Sequence, residues 1–344
     1  MYNNNNNNRV VYIDLLRIIS CFLVILTHSH FSDETIDNYS KYFTLGIMLL
    51  CMPASELFIS LSGAALLPIR RSMKEFLITR LKKLIPPFVI WSIVIALYNY
   101  ILEDKTISNL FFTITSIPFK PVTYQFWFIY VIIGLYLFAP IISPWLRNAN
   151  KRQIEFFLAL WCLTLLAPFW NSHTNIIYDT TGNYNYTTYY FSGFLGYWLL
   201  GYYLNKYPIR ISLNFRFVFV LLLFSIYLSY LIMRYSNGDM NLILISNLQI
   251  GAALYMTIIY SFIQKLNIKK VYLKEQISNI SKYSFGIYLT HPIIQNLLKE
   301  FIFNDLGFSS MIKIPLLAIT TFLTCLFLNI ILKRTRISKI LIGI

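Results

Sequence analysis

Charged residues are scarce in this sequence: Asp, Glu, Lys and Arg make up 12% of the 344 residues, whereas hydrophobic residues make up 57%. A soluble domain needs about a quarter of its residues charged to cover its surface, so this scarcity excludes an ordinary soluble globular protein. Runs of roughly 20 apolar residues recur along the chain, and each is long enough to cross a bilayer. The sequence therefore predicts an all-α, polytopic integral membrane protein that is solvated by the lipid bilayer.

Acidic residues are especially few, with 14 Asp and Glu against 29 Lys and Arg, which gives a net charge of +15. An excess of this size can indicate nucleic-acid binding, but most of the basic residues fall in alternate connections between the apolar runs. That asymmetry is the positive-inside rule, so the charge is topological and we expect no nucleic-acid partner. It predicts about ten transmembrane helices with both termini in the cytoplasm, at approximately 11–30, 43–67, 84–102, 126–143, 154–170, 189–205, 217–233, 242–263, 283–303 and 312–332.

Cysteine is also rare, and the four cysteines show no paired spacing: Cys21, Cys51, Cys162 and Cys325. Each falls inside a predicted helix, as is typical of a small apolar packing residue, so we expect neither disulfides nor a metal site.

No small-residue cleavage site follows the first helix, so we expect no cleavable signal, and no polar connection is long enough to hold a soluble domain. The sequence predicts a disordered asparagine-rich tail (1–10), one transmembrane domain (11–332) and a cytoplasmic C-terminal tail (333–344).

The first predicted helix, IDLLRIISCFLVILTHSH, carries polar residues that are costly in hydrocarbon. At 100° per residue, His28 lies about 20° past three full turns from Arg17, and Asp14 lies about 60° to the other side. The three residues therefore share one stripe, which we expect to face the protein interior or a water-filled cavity. Alternatively, Arg17 pairs with Asp14 and reaches the cytoplasmic headgroups. A neutral imidazole near the outer end of the helix makes His28 a candidate general base.

Five features follow one another along nearly the whole chain: the Arg17-to-His28 spacing, FISLSGAALLP, FLITRLKKLIPPF, FWFIYVIIGLYLFAPII and SKYSFGIYLTHPI. In this order they resemble the acyltransferase 3 family of membrane-bound O-acyltransferases, and the fourth resembles the branch containing the enterobacterial common antigen O-acetyltransferase. Two departures stand out. Lys83 replaces the second arginine of the family's cytoplasmic motif, which keeps the charge but loses bidentate contact, and Glu56 precedes the Ser62-Gly63 pair without a known family role.

The resemblance implies an acyltransferase of the cell (inner) membrane that moves an acetyl or other short acyl group from cytoplasmic acyl-CoA, with acetyl-CoA as the expected donor, to a hydroxyl of an undecaprenyl-linked or surface glycan. No bound cofactor or metal is expected. The site residues that we predict are catalytic Asp14, Arg17 and His28, CoA-binding Arg17, Arg80 and Lys83, and substrate-binding Tyr130, Tyr288 and His291. Glu56 is added to the substrate-binding group only because an ionisable residue within the membrane is a candidate for function.

Other readings stay open at this point. A secondary transporter or glycan flippase also carries intramembrane charges and interrupted helices, and interruptions are expected around Pro53 and Pro292. A non-catalytic subunit of a polysaccharide synthase has no need of the stripe on the first helix. His291 either orients an acyl carbonyl or satisfies backbone groups that Pro292 leaves open.

Overall fold

The computed structural model describes residues 10–31, 38–102, 106–166, 193–209, 219–220, 222–227, 230 and 248–344. Regular structure in these residues is helical throughout, which confirms the predicted all-α fold. The asparagine-rich tail up to residue 9 and parts of four predicted spans lie outside the described residues: 154–170, 189–205, 217–233 and 242–263.

The α-helices of the described residues are, in chain order, α1 (Val11–Thr27), α2 (Asn38–Cys51), α3 (Ala54–Leu66), α4 (Met73–Leu102), α5 (Ile107–Ser116), α6 (Trp127–Asn148), α7 (Lys151–Thr164), α8 (Phe194–Lys206), α9 (Ile250–Lys265), α10 (Val271–Ser281), α11 (Ser284–Leu298), α12 (Ser310–Lys333) and α13 (Ser338–Ile342). A 3₁₀ turn (Tyr124–Phe126) precedes α6, and a π-helical turn (Lys299–Phe303) follows α11.

Among the described residues, four helical stretches are long and apolar enough to cross a membrane: Tyr42–Leu66, Met73–Leu102, Tyr124–Asn148 and Ser310–Lys333. They overlap the predicted spans 43–67, 84–102, 126–143 and 312–332 and give the chain the character of a membrane protein. The total of about ten spans, and the orientation of the chain, stay predictions.

The helix that contains the predicted span 84–102 starts earlier than the sequence suggested, because α4 begins at Met73. The predicted spans 43–67 and 84–102 leave residues 73–83 in the connection between them, and the basic residues of this segment predict that the connection is cytoplasmic. Lys and Arg are good helix formers, and long basic side chains at a helix end reach out of the apolar layer. Arg80 and Lys83 therefore lie on the same continuous helix as the apolar span, which fixes the direction in which they point.

The interruption expected at Pro53 is present, since α2 ends at Cys51 and α3 begins at Ala54. Proline has no N–H to continue the helical hydrogen bonds. One carbonyl near the break, that of Leu50, accepts a hydrogen bond from the hydroxyl of Tyr255 at 3.1 Å. The neighbouring helix α9 thus supplies a partner that lipid cannot supply.

The interruption expected at Pro292 is wrong, because α11 runs continuously from Ser284 to Leu298. The missing N–H of Pro292 leaves the carbonyl of Tyr288, four residues earlier, without its helical partner. The imidazole Nδ1 of His291 lies 2.6 Å from that carbonyl oxygen and replaces the missing donor. The helix continues because the His291 side chain, in the same turn, donates the hydrogen bond that Pro292 cannot donate.

α3 and α8 approach so closely that their backbones touch. A Cβ atom added to Gly63 would lie 1.8 Å from the carbonyl oxygen of Trp198, and one added to Gly201 would lie 1.9 Å from that of Ser60. The hydroxyl of Ser60 donates to the carbonyl of Tyr197 at 3.0 Å. Small residues permit this kind of contact between membrane helices, where packing drives association.

The C-terminal segment folds back onto the helices. The indole Nε1 of Trp91 donates to the carbonyl of Leu341 at 2.9 Å, and Ile342 is fully buried. Gly343 has a φ of 73°, a left-handed conformation that glycine adopts without strain. Residues 342 to 344 lie beside α4 and α11, where they contribute to the cavity described below.

We expect Gly63→Ala to destabilise the protein, because the new methyl group cannot fit between α3 and α8 without separating them. The cost should be about 1–3 kcal/mol, as for other overpacked contacts, and a lower thermal unfolding midpoint in detergent would report it. Gly134→Ala is the matched control: it is also in a helix, but nothing lies within 4 Å of its added Cβ. An unchanged midpoint in Gly63→Ala would contradict the close packing.

Candidate active site

The polar stripe of α1 faces a polar stripe that begins at the end of α10 and continues along α11. The hydroxyl of Ser281 donates to Asp14 Oδ1 at 2.8 Å, and the thiol of Cys21 lies 3.7 Å from the carbonyl oxygen of Ser284. Farther along, the rings of His28 and His291 stack with their centroids 5.9 Å apart. The structure thus brings Asp14 and His28, both predicted from α1, against residues 281–291.

Arg17 lies within ion-pair distance of Asp14, with 3.5 Å between Nη1 and Oδ1. The Asp14 side chain is 2% exposed, whereas the Arg17 side chain is 34% exposed. A buried carboxylate such as that of Asp14 needs charged or hydrogen-bonding partners. The ion pair also holds the guanidinium of Arg17 at the wall of a cavity. The two readings of Arg17 are therefore compatible, since it pairs with Asp14 and also lines the cavity.

The cavity has a volume of about 430 Å³. None of the described lining residues has an acidic side chain. Four lining side chains are cationic, namely those of Arg17, Arg80, Lys83 and Lys282. Such a cluster attracts phosphate groups, to which an arginine can donate two parallel hydrogen bonds. Of the predicted residues, the structure thus gathers Arg17, Arg80 and Lys83 around one space, although they come from α1 and α4.

Tyr288 lines the same cavity and connects it to the histidines. Its ring centroid lies 5.6 Å from that of His291, and its hydroxyl donates to the carbonyl of Gln125 just before α6. Neither His28 nor His291 lines the cavity. The imidazoles therefore lie beyond Tyr288 rather than in one continuous passage with Arg17.

The protonation pattern of His291 follows from its hydrogen bond. A carbonyl oxygen only accepts, so Nδ1 carries the proton that it donates to Tyr288. Nε2 is then the acceptor nitrogen, and it is buried without a hydrogen-bond partner in the described part of the chain. The ring that carries this nitrogen has its centroid 5.6 Å from that of Tyr288 and stacks on the ring of His28, so Nε2 can accept a hydrogen bond from a group placed beside the imidazole pair.

The end of α1 is held by two residues that the sequence analysis did not single out, Gln295 and Lys299. The amide of Gln295 donates to the carbonyl of Ile25 at 3.1 Å and to the hydroxyl of Ser29 at 2.7 Å. The ammonium of Lys299 donates to the carbonyls of His28 at 2.9 Å and His30 at 2.8 Å.

A signal for these two residues was present in the sequence. Tyr288, His291, Gln295 and Lys299 follow one another at intervals of three and four residues, which places them on one helical face. The cation of Lys299 lies at the C-terminal end of α1, where the helix dipole favours positive charge.

Two residues that the sequence predicts to bind substrate, Glu56 and Tyr130, lie away from the cavity. Glu56 is fully buried, accepts a hydrogen bond from Ser55 at 3.2 Å, and its Oε1 has no hydrogen-bond partner among the described residues. Tyr130 donates its hydroxyl to the carbonyl of Ile117 and packs its ring on Phe88 at 5.5 Å. Neither side chain lines the cavity.

The four cysteines are free in the structure. Within the described ranges, no group of three or more His, Cys, Asp or Glu side chains could hold a metal ion. The site is therefore built from a cationic cavity and an imidazole pair.

Residues 10–331 match the acyltransferase 3 family (Acyl_transf_3), which is described as an acyltransferase domain. The chain belongs to this family. The match covers more than nine-tenths of the chain and confirms the resemblance seen in the five sequence features, so the helical membrane scaffold carries an acyltransferase domain. The particular branch of the family stays a prediction.

Curated relatives are more distant. Proteins of Staphylococcus aureus strains MSSA476, MW2 and N315, named as probable poly-beta-1,6-N-acetyl-D-glucosamine export proteins, are 23% identical to the chain, over 95% of its length and 94% of theirs. No solved structure matches the chain.

We expect Lys299→Met to loosen the end of α1, because two backbone carbonyls would lose a charged donor. Hydrogen bonds to charged groups contribute about 1.5–3 kcal/mol, so the opening free energy of residues 28–31, measured by hydrogen–deuterium exchange, should fall by that amount. Lys313→Met is the control, since Lys313 also lies over the ring of Phe31 but is not bonded to α1 in the structure. Equal exchange in both variants would contradict the role given to Lys299.

Proposed function

We propose that this protein is an O-acyltransferase of the cell membrane that moves an acetyl or other short acyl group from cytoplasmic acyl-CoA to a hydroxyl of a surface or lipid-linked glycan. One observation carries the proposal: a cavity lined by four cations reaches Tyr288, and the ring of Tyr288 contacts the stacked pair of His291 and His28. One part of the site could thus bind a negatively charged acyl carrier, and the adjacent part could accept a proton.

The donor would enter through the cationic part of the cavity. CoA carries several phosphates on a long flexible arm, and Arg80 can bind a phosphate in a bidentate manner, whereas Lys83 and Lys282 act as point charges. Arg17, held by Asp14, would bind farther along the arm. A volume of about 430 Å³ falls within the usual range of small-molecule sites.

The proposed topology puts this mouth in the cytoplasm. Ten spans with both termini inside place the basic segment of residues 70–83 on the cytoplasmic side and His28 near the outer surface, in keeping with the positive-inside rule. The proposed acyl-CoA donor is cytoplasmic and a surface glycan lies outside, so donor and acceptor would approach from opposite sides. This arrangement suits a protein of the cell's inner membrane.

The chemistry needs a base, because a hydroxyl is a weak nucleophile at neutral pH. His28 takes the proton of the acceptor hydroxyl while its oxygen attacks the thioester carbonyl. The new C–O bond forms, the C–S bond breaks, and the imidazolium returns the proton to the departing CoA thiolate. The free Nε2 of His291 lies next to this imidazole, where it would accept a hydrogen bond from a second, unreacting hydroxyl of the acceptor glycan.

Export of a polysaccharide is the second candidate function. It is favoured by the names of the Staphylococcus aureus relatives, which describe probable export of poly-beta-1,6-N-acetyl-D-glucosamine. A transporter would move the glycan across the membrane without changing its ester content, so the two functions differ in what they do to the glycan.

The test of the main proposal is His28→Ala. Loss of a general base lowers the rate by about 100-fold or more, so base-labile acyl esters on extracted glycan should disappear relative to cells that express the unmodified chain. His30→Ala is the control, since among the described residues the His30 ring hydrogen-bonds the carbonyl of Thr27 and does not stack on His291, and esters should persist. Full ester content in His28→Ala would overturn the catalytic role, and a loss of surface glycan with unchanged esters per glycan would favour export.

Arg80→Ala tests whether the cationic part of the cavity binds the donor. Loss of a charge-assisted phosphate contact should raise the apparent KM for acyl-CoA about tenfold or more, with a smaller effect on kcat, in membrane vesicles supplied with a series of donor concentrations. Lys274→Ala is the control, because Lys274 is an exposed basic residue of α10 that does not line the cavity. An unchanged KM in Arg80→Ala would place the donor elsewhere.

A further inference from the structure

Three aromatic rings close the end of the cavity that lies farthest from its basic residues. They are Phe58 of α3, Phe128 of α6 and Tyr288 of α11, and all three line the cavity. The ring centroids of Phe58 and Phe128 are 5.8 Å apart, and those of Phe128 and Tyr288 are 5.5 Å apart. We call this group the three-ring cap.

The position of the cap follows from the order of the lining residues along each helix. On α11, Tyr288 is the lining residue farthest from Lys282. On α6, Phe128 lies eight residues before Tyr136, which corresponds to about 12 Å along the helix axis. On α3, Phe58 lies about 6 Å from Ser62 and about 12 Å from Leu66 on the same measure. Because Phe128 packs against both Phe58 and Tyr288, the three rings form one continuous row across this end of the space.

The histidines lie on the other side of this cap. Tyr288 contacts Phe128 within the cap and His291 beyond it, with ring centroids 5.6 Å apart in the second case. A thioester carbonyl that enters from the basic end must therefore pass the rings before it reaches His291 and His28.

The three rings differ in how firmly they are held. Tyr288 is buried, and its hydroxyl is bonded to the carbonyl of Gln125. Phe58 and Phe128 are only partly buried and have no polar atom to anchor them. These two rings have open space on one side, so they can turn while Tyr288 stays in place.

We propose that the three-ring cap is the acyl-selectivity gate of the enzyme: short acyl groups pass between Phe58, Phe128 and Tyr288 to the imidazole pair, and longer ones are held back. This inference rests on the proposed acyltransferase function. The bulk of the phenylalanines, rather than the charge at the mouth, then decides which acyl group is transferred.

The experiment is a competition between two donors. Membrane vesicles that contain the chain and the host glycan receive equal concentrations of acetyl-CoA and butyryl-CoA, and the acetyl and butyryl groups released from the glycan by mild base are counted by mass spectrometry. The ratio of the two esters does not depend on how much protein is folded. Phe58→Ala and Phe128→Ala should each raise the butyryl-to-acetyl ratio about tenfold or more, because the two extra methylenes of the butyryl group then fit between the remaining rings.

Tyr136→Ala is the matched control. It removes an aromatic ring from the same cavity and the same helix as Phe128 but outside the cap, so the ratio should stay at that of the unmodified chain. If the alanine variants do not fold, Phe58→Leu and Phe128→Leu replace them, and a smaller rise in the same direction is expected.

Two results would overturn the gate alone: esters formed at an unchanged ratio in the Phe58 and Phe128 variants, or an equal rise in Tyr136→Ala. If the unmodified chain forms no ester from acetyl-CoA, butyryl-CoA or any other short acyl-CoA, the proposed function fails and the gate fails with it. The two failures are thus distinguishable, because only the first leaves ester formation intact.

Discussion

Polar side chains inside a bilayer are stable only where they face one another or water, because lipid offers neither hydrogen bonds nor opposite charges. α1 and the segment from Ser281 to Lys299 each carry one polar face, and each buries the other. The contact runs from the Asp14–Ser281 hydrogen bond at one end to the two bonds of Lys299 at the other. Because the pairing fixes where α1 lies, it also fixes the guanidinium of Arg17 at the cavity and the imidazole of His28 beside His291.

A proline contributes to this arrangement in an indirect way. Pro292 deprives the carbonyl of Tyr288 of its helical donor, and the Nδ1 proton of His291 replaces it. The same hydrogen bond assigns the tautomer of the imidazole and leaves Nε2 as the basic nitrogen. Of the two roles that the sequence leaves open for His291, the structure shows the backbone partner. An imidazole whose Nε2 is an acceptor cannot donate a hydrogen bond to an acyl carbonyl, so this tautomer does not fit the other role.

The sequence predicts the features that depend on one helix at a time. The angular spacing of Asp14, Arg17 and His28 is sufficient to put them on one stripe, and the apolar runs locate the four long spans. Features that depend on two distant segments were not predictable from periodicity. The approach of Gly63 to Trp198, the C-terminal residues beside Lys83 and the three-ring cap each join helices far apart in the chain. Gln295 and Lys299 are an intermediate case, because their spacing from His291 was visible but their partners on α1 were not.

An enzyme that meets its donor on one side of a membrane and its acceptor on the other must avoid becoming a pore. A continuous water-filled passage would dissipate ion gradients, whereas a fully closed path would stop the reaction. In this protein the cationic cavity ends at packed rings, and the imidazoles lie behind them. In the proposed reaction, rings that rotate would exclude water and ions yet admit a small uncharged acyl group at the end of a flexible arm. The phosphates of the carrier would stay at the basic end of the cavity, because moving their negative charge into an apolar constriction is costly.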